Sequence, residues 1–349
     1  MSANTKIVRL ALDAMGGDNS PTCVVKGADI ACGQHPHLAI TFYGDEARIR
    51  PLLGKSRHLS DVRVIHTEEA VSPDDTASQA VRRGKTTSMW MAIASVADGE
   101  ADAVVSAGNT GALMAMAKLQ LRTMPGVTRP AIAAFFPTVG ELMCMLDLGA
   151  NIECDAENLV QFAILGQAFH RSLTGKSEPR LGLLNVGEEE QKGHEYLRVA
   201  SRRLADPDLG INYKGFVEGS DLTNGKLDVV VTDGFSGNVA LKTAEGISTM
   251  FTRLLRRSLA STMLSRLGYF LARSALSEMR RHIDPRSYNG AVFLGLNGIA
   301  VKSHGGTDRI GFANAINVAS ELVDHGFIPD VSEAIARANT ILEQKKDDG

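Results

Sequence analysis

The chain predicts a three-layer α/β/α fold built on a largely parallel, doubly wound sheet, and three observations carry that reading. Short apolar runs recur with helix-period segments between them, the mark of repeated βαβ units whose sheet is covered on both faces. Nearly every run stops at Gly, Asp, Asn or Ser, the residues that turn a strand into the helix after it. With 349 residues, 44% of them hydrophobic, the chain can bury one large core or two modest ones.

The runs follow in order. KIVRLAL opens the sheet and leads into LDAMGGD, where Asp13 and Asp18 enclose Gly16 and Gly17. Glycine there admits positive φ and a close backbone approach to a ligand. LAITFYG and VRVIH give the next two strands, then ADAVVSAG, AIAAFFP, LMCMLDLG, RLGLLNVG and LDVVVTDG. Since ligands bind at the carboxyl ends of strands in open α/β sheets, those ends are expected to form one cleft. No long linker divides the chain, so residues 1–349 read as a single catalytic domain, with a frayed charged tail over 340–349. The alternation breaks at 238–284, where two helical patterns meet around Gly268 with no strand between them: an inserted helical hairpin.

Two turns have the make-up of anion sites. In SAGNTGA the chain passes from Ser106 through Gly108, Asn109, Thr110 and Gly111 into a helix. TDGFSGN does the same through Asp233, Ser236, Gly237 and Asn238. Small residues at a helix N-terminus expose backbone N–H groups where the helix dipole favours negative charge. The same residues also serve as ordinary caps and turns. In LNGIAVKSHGGTD, Lys302 and His304 with Gly305 and Gly306 can neutralise phosphate or polarise a carbonyl. LLNVGEEEQKGHEY is equally readable as a solvated loop.

Several function classes lose support. A net charge of -3 disfavours a general nucleic-acid binder. Cys23, Cys32, Cys144 and Cys154 form no C-x-x-C pair and read as reduced core thiols. MSANTKIVRL lacks a signal-peptide core and no run of about 18 apolar residues could span a bilayer, so a cytoplasmic location is expected. Glu188 stands where the lysine of a phosphate loop belongs after Gly187, no G-x-G-x-x-G follows the first strand, and DGFSGN does not complete G-x-S-x-G. Carboxylates with metal-ligand spacing are lacking, so neither metal nor cofactor is expected.

Taken together, LDAMGGD, SAGNTGA, LDLGAN, LLNVGEEEQKG, DVVVTDGFSGNVALK and LGLNGIAVKSHGGTD resemble the bacterial phosphate acyltransferases of phospholipid synthesis, in order from about Ile7 to Val323. The resemblance implies a fold similar to phosphotransacetylases and isocitrate dehydrogenase-like enzymes, and a homodimer. It implies transfer of a long-chain fatty acyl group from acyl carrier protein to inorganic phosphate, giving acyl phosphate for a membrane glycerol-phosphate acyltransferase. Direct attack by phosphate on the thioester needs no covalent enzyme intermediate. On this reading Asn109, Ser236, Asn238, Lys302 and His304 are the catalytic candidates. Asp13, Gly16, Gly17, Asp18, Gly108, Thr110, Gly111, Asp233 and Gly237 shape the phosphate and substrate sites, the two aspartates by orienting donors or bonding the pantetheine arm. The main rivals are a short-chain phosphotransacetylase using acetyl-coenzyme A, a non-catalytic scaffold and a decarboxylating dehydrogenase.

The hairpin carries its own signal. Arginines 253, 256, 257, 266, 273, 280 and 281 are opposed there only by Glu278 and Asp284, in a chain that is acidic overall. Leu264, Leu267 and Phe270 spread apolar surface near the turn. Such a basic amphipathic element suits peripheral contact with an anionic membrane, acidic acyl carrier protein, or a second subunit.

Overall fold

The computed structural model describes residues 7–60, 62–282 and 284–347; the side chains of 280–282, 285 and 345–347 are outside the description. Its strands are β1 (Val8–Asp13), β2 (Leu38–Gly44), β3 (Arg63–His66), β4 (Ala103–Ser106), β5 (Ala131–Phe136), β6 (Met143–Leu146), β7 (Leu181–Leu184), β8 (Tyr213–Val217), β9 (Val229–Val231), β10 (Ala291–Leu294) and β11 (Ile299–Lys302). The helices are α1 (Thr22–Gln34), α2 (Glu46–Leu53), α3 (Ala77–Arg83), α4 (Ser88–Ala97), α5 (Thr110–Leu121), α6 (Ala156–Thr174), α7 (Glu195–Leu204), α8 (Gly234–Leu259), α9 (Met263–His282), α10 (Arg309–Asp324) and α11 (Phe327–Asp347). Every apolar run quoted above supplies a strand. β8, β10 and β11 are additional, because Lys214 and Gly215 interrupt the first and glycine-rich LGLNG separates the other two.

All strands join one sheet in the order β3-β2-β1-β4-β11-β10-β5-β6-β9-β7-β8. Its core is doubly covered, as alternation along the strands requires. Leu10, Leu12, Val105, Leu146 and Val231 lie in the apolar layer shared with α1, α6 and α10. Ala11, Val104, Met145, Val230 and Phe293 lie in the opposite layer, with α4 and α5. Each large aliphatic or aromatic side chain so buried contributes about 1.5–3 kcal/mol.

The expectation of one cleft is corrected by strand direction. β1, β2, β3, β4 and β11 run parallel to one another, and β6, β7, β8 and β9 run parallel to one another. Between the two groups, β10 is antiparallel to β11 and β5, and β5 is antiparallel to β6. Three successive reversals leave β9 antiparallel to β4, so their carboxyl ends lie at opposite edges of the sheet. We call the edge holding the ends of β1, β4 and β11 the first edge.

α8 links the edges. It starts beyond β9 with Gly234 and Gly237 buried, and Ala240, Leu241 and Ala244 pack on the apolar layer. At 1.5 Å per residue its 26 residues span about 39 Å, while a four-residue strand such as β6 covers about 13 Å. The remainder, mostly exposed from Ile247 onward, projects past the sheet. The break before α9 falls at Ala260–Thr262, where Thr262 Oγ1 accepts the Ser265 N–H at 3.0 Å; Gly268, the expected turn, lies inside α9. At the other end α11 stays helical through Asp347, past the 340 boundary set for fraying.

Candidate active site

The first edge gathers most of the residues singled out above. Asp13, at the end of β1, is 1% exposed. Its carboxylate accepts hydroxyls from Ser88 of α4 and Ser106 of β4, each at 2.6 Å, and the Met15 N–H at 3.2 Å. Burial pushes its pKa up and the two serines pull it back. Asp13 therefore orients donors, one of the two roles expected of it, and is too enclosed to bond a pantetheine arm. Gly16 packs against the other turn: a Cβ there would lie 2.6 Å from the Gly108 amide nitrogen. Gly17 has φ +94°, and a Cβ on it would come within 2.9 Å of both Ala107 Cβ and Gly305 O. The close approach that these glycines permit is thus between three of the protein's own turns. Asp18 is exposed and its N–H closes the set by donating to Gly305 O at 3.0 Å.

Asn109 caps α5 through Oδ1, which accepts the Ala112 N–H at 3.0 Å. Its Nδ2 donates to Pro73 O at 2.9 Å and Asp75 O at 3.1 Å. With both ends occupied, its side chain is a tether for the 73–75 loop, which leaves the catalytic candidate without a free donor. Thr110 and Gly111 are exposed in the first helical turn, where N–H groups lack intrahelical partners. At the end of β11 Lys302, 9% exposed, extends Nζ toward Ala107 O at 3.5 Å and Ser303 O. Burial pushes its pKa down to about 8, against the pull of Asp13 and Asp18 and with the push of Lys242. Lys242 belongs to α8, so that helix comes back to the first edge. His304 is exposed and its Nδ1 accepts the Gly306 N–H at 3.2 Å, which puts the proton of the neutral ring on Nε2.

The second turn is built differently. Asp233 caps α8, taking the Ser236 N–H at 2.8 Å and the Ser236 hydroxyl at 2.9 Å. Asn238 is exposed and its Nδ2 donates to Leu148 O at 3.2 Å. Gly237 is buried, with its N–H on Asp233 O at 3.0 Å and no room for a Cβ against the Asp147 carbonyl. Gly237 is therefore a packing glycine and presents no free N–H to an anion. Asp147, which composition alone did not single out, anchors this edge. It accepts N–H groups from Ile132 at 2.9 Å, Ala150 at 3.1 Å and Asn151 at 2.7 Å.

On the hairpin, Arg253, Arg256, Arg257 and Arg273 are exposed, as are Leu264, Leu267 and Phe270, which keep 82%, 57% and 61% of their surface in solvent. The Arg273 guanidinium sits 5.2 Å from the centre of the Phe270 ring, a cation–π contact. Cys144 lies in β6 with no exposed surface, and burial pushes its thiol pKa far up, the opposite of an activated nucleophile. Among the described residues no helix is long and apolar enough to cross a membrane.

Comparison with known proteins gives this geometry its setting. Residues 8–329 match the family model described as fatty acid synthesis protein. The chain is 56% identical to the phosphate acyltransferase of Rhodospirillum centenum over 96% of its own length and 94% of that protein's. It is 52% identical to that of Rhodospirillum rubrum, over 95% of both. Among solved structures, a phosphotransacetylase from Streptococcus pyogenes superposes with TM-score 0.62 at 18% identity, covering 90% of this chain and 94% of that one. A branched-chain phosphotransacylase from Enterococcus faecalis gives 0.56 at 12% identity, covering 90% and 99%, a likeness of fold. By sequence over nearly its whole length, the chain belongs to the phosphate acyltransferase family of fatty acid synthesis proteins.

Proposed function

We propose that the protein transfers a long-chain fatty acyl group from acyl carrier protein to inorganic phosphate, with phosphate held at the first edge. One observation carries the choice of edge. A lysine nine-tenths buried reaches the carbonyl of Ala107, in the turn that leads into the open N-terminus of α5, and an exposed histidine follows it two residues on. In this reading the Thr110 and Gly111 N–H groups and the Lys302 ammonium hold the phosphate. A phosphate oxygen attacks the thioester carbonyl carbon, the same donors stabilise the oxyanion, and the C–S bond breaks as the tetrahedral species collapses. The proton brought by hydrogen phosphate ends on the departing sulfur. His304 relays it, and Nε2 is the atom left for exchange once Gly306 holds Nδ1. The products are acyl phosphate and the free carrier thiol. The Ser236–Asn238 turn acts here as support, since both side chains are already bonded.

The projecting helices fit the same scheme. α8 passes Lys302 at Lys242, and its exposed arginines lie further out along the same helix, where an acidic carrier protein would be drawn in. The apolar side chains of α9 suit a membrane surface or the second subunit of a dimer, delivering acyl phosphate where a membrane acyltransferase uses it. The test is conversion of palmitoyl-acyl carrier protein with and without orthophosphate, trapping acyl phosphate as hydroxamate and counting thiol. Equal hydroxamate and thiol that both require phosphate support the proposal. Thiol without phosphate makes the protein a thioesterase, and turnover of acetyl-coenzyme A in place of the carrier substrate makes it a short-chain enzyme.

A further inference from the structure

The loop bearing Lys302 and His304 is held from a residue outside every motif quoted above. Asn289 follows the single 3-10 turn Pro285–Tyr288 that leads from the hairpin into β10. Its Oδ1 accepts the His304 backbone N–H at 2.9 Å. Its Nδ2 donates to Ser303 Oγ at 2.7 Å and to Gly311 O at 2.6 Å. Its backbone carbonyl accepts Asn314 Nδ2 at 2.9 Å. One half-buried amide thus spans the loop from Ser303 to the first turn of α10 and fixes Ser303 and His304, the two residues that follow Lys302. A second strap runs in parallel: Arg286 pairs with Asp284 at 2.6 Å and with Asp308, the cap of α10, at 3.0 Å.

An asparagine is suited to this place because its planar amide carries an acceptor and two donors at fixed angles on a short side chain. Oδ1 sets the height of His304, and Nδ2 fixes that amide plane against α10. We propose that Asn289 is a positioning residue for the His304 relay, tying its backbone to the foot of the hairpin; this rests on the first-edge reading given above. Asn289 touches no reacting atom in that scheme. Its influence on the relay passes through the His304 N–H that it holds, braced by the bonds to Ser303 and Gly311.

A double-mutant cycle separates this from a general structural role. Measured with palmitoyl-acyl carrier protein and orthophosphate, Asn289→Ala should lower kcat roughly 10–100-fold, the effect of misplacing a reacting group by about an ångström, with KM for phosphate little changed. Asn289→Ala combined with His304→Ala should be no slower than His304→Ala alone. Asn289→Ser, a smaller polar replacement, serves the same cycle should the alanine variant not fold. Full activity in the Asn289 variants, or losses that multiply with that of His304→Ala, overturns the proposal while leaving the first edge intact. Wild-type activity in His304→Ala removes the first-edge relay itself, and the role of Asn289 falls with it.

Discussion

Lys302→Met is the sharpest perturbation of this site. The lysine keeps its positive charge with only 9% of its surface exposed, and its pKa is pushed down to about 8. At pH 7 a group of that pKa is still about nine-tenths protonated, so the ammonium is available to phosphate. Losing one charge-assisted hydrogen bond costs about 1.5–3 kcal/mol, which is roughly 10–150-fold in kcat/KM for phosphate. Above pH 8 the wild type should lose about tenfold per unit, whereas the methionine variant should be low and lack that limb. Orthophosphate's own ionisation is common to both enzymes, so the ratio of their profiles isolates the lysine. Stability gives an independent check of sign. The folded pKa lies below the ordinary 10.5, so between about pH 8 and 10.5 the unfolded chain binds more protons and unfolding free energy rises with pH. The rise amounts to about 3 kcal/mol and should vanish in the variant. An unchanged kcat/KM for phosphate, or a wild-type profile flat from pH 7 to 9, refutes the reasoning.

Cys144→Ala should retain turnover within about twofold, since its thiol is sealed in β6; loss of activity without loss of folding would revive a covalent route. Asp228 has a fully buried side chain paired with Arg180 and Lys176, each at 2.9 Å, and Asp228→Ala should cost about 3–5 kcal/mol in denaturant unfolding with the phosphate KM unchanged. Burial opposes ionisation of Asp228, but Arg180 and Lys176 prevail and hold its pKa below the ordinary 3.8. Its contribution is therefore complete above that value and lost as pH falls below it, a limb of the acid unfolding curve that Asp228→Asn should flatten. Leu267→Glu with Phe270→Glu should abolish sedimentation with anionic vesicles and leave turnover of soluble substrate intact; undiminished sedimentation would assign that surface to a subunit contact.

How much of this was legible in the sequence depends on the range of the interaction that decides it. Strand ends such as Ser106, and caps such as Asp233 and Asp308, are settled by neighbours a few residues away, and the apolar runs reveal them. Strand direction is not local. Nothing in AIAAFFP or AVFL states that β5 and β10 run against their neighbours, because pairing with distant strands decides it. The two anion-type turns therefore look equivalent in sequence and lie at opposite edges in space. Commitment of side chains is equally hidden. SAGNTGA displays Asn109 but not the Pro73 and Asp75 carbonyls that occupy its amide, and LDAMGGD displays Asp13 but not Ser88.

That separation of the edges changes which turn suits phosphate. A first-turn N–H group that already has a partner is lost to an anion, and at α8 Asp233 takes the Ser236 N–H while the Gly234 N–H donates to Asn151 O at 2.8 Å, within a buried foundation. At α5 the cap occupies only the Ala112 N–H; Thr110 and Gly111 stay exposed, and the buried Lys302 ammonium reaches the Ala107 carbonyl at the start of the turn. The dipole is alike at both ends, so the balance falls to that cation. Desolvating Lys302 costs free energy that its two backbone carbonyl contacts and the pull of Asp13 and Asp18 only partly offset. A structural lysine at the end of β11 would be replaceable by an apolar residue, whereas a lysine kept there is explained by an anion that completes its charge when bound.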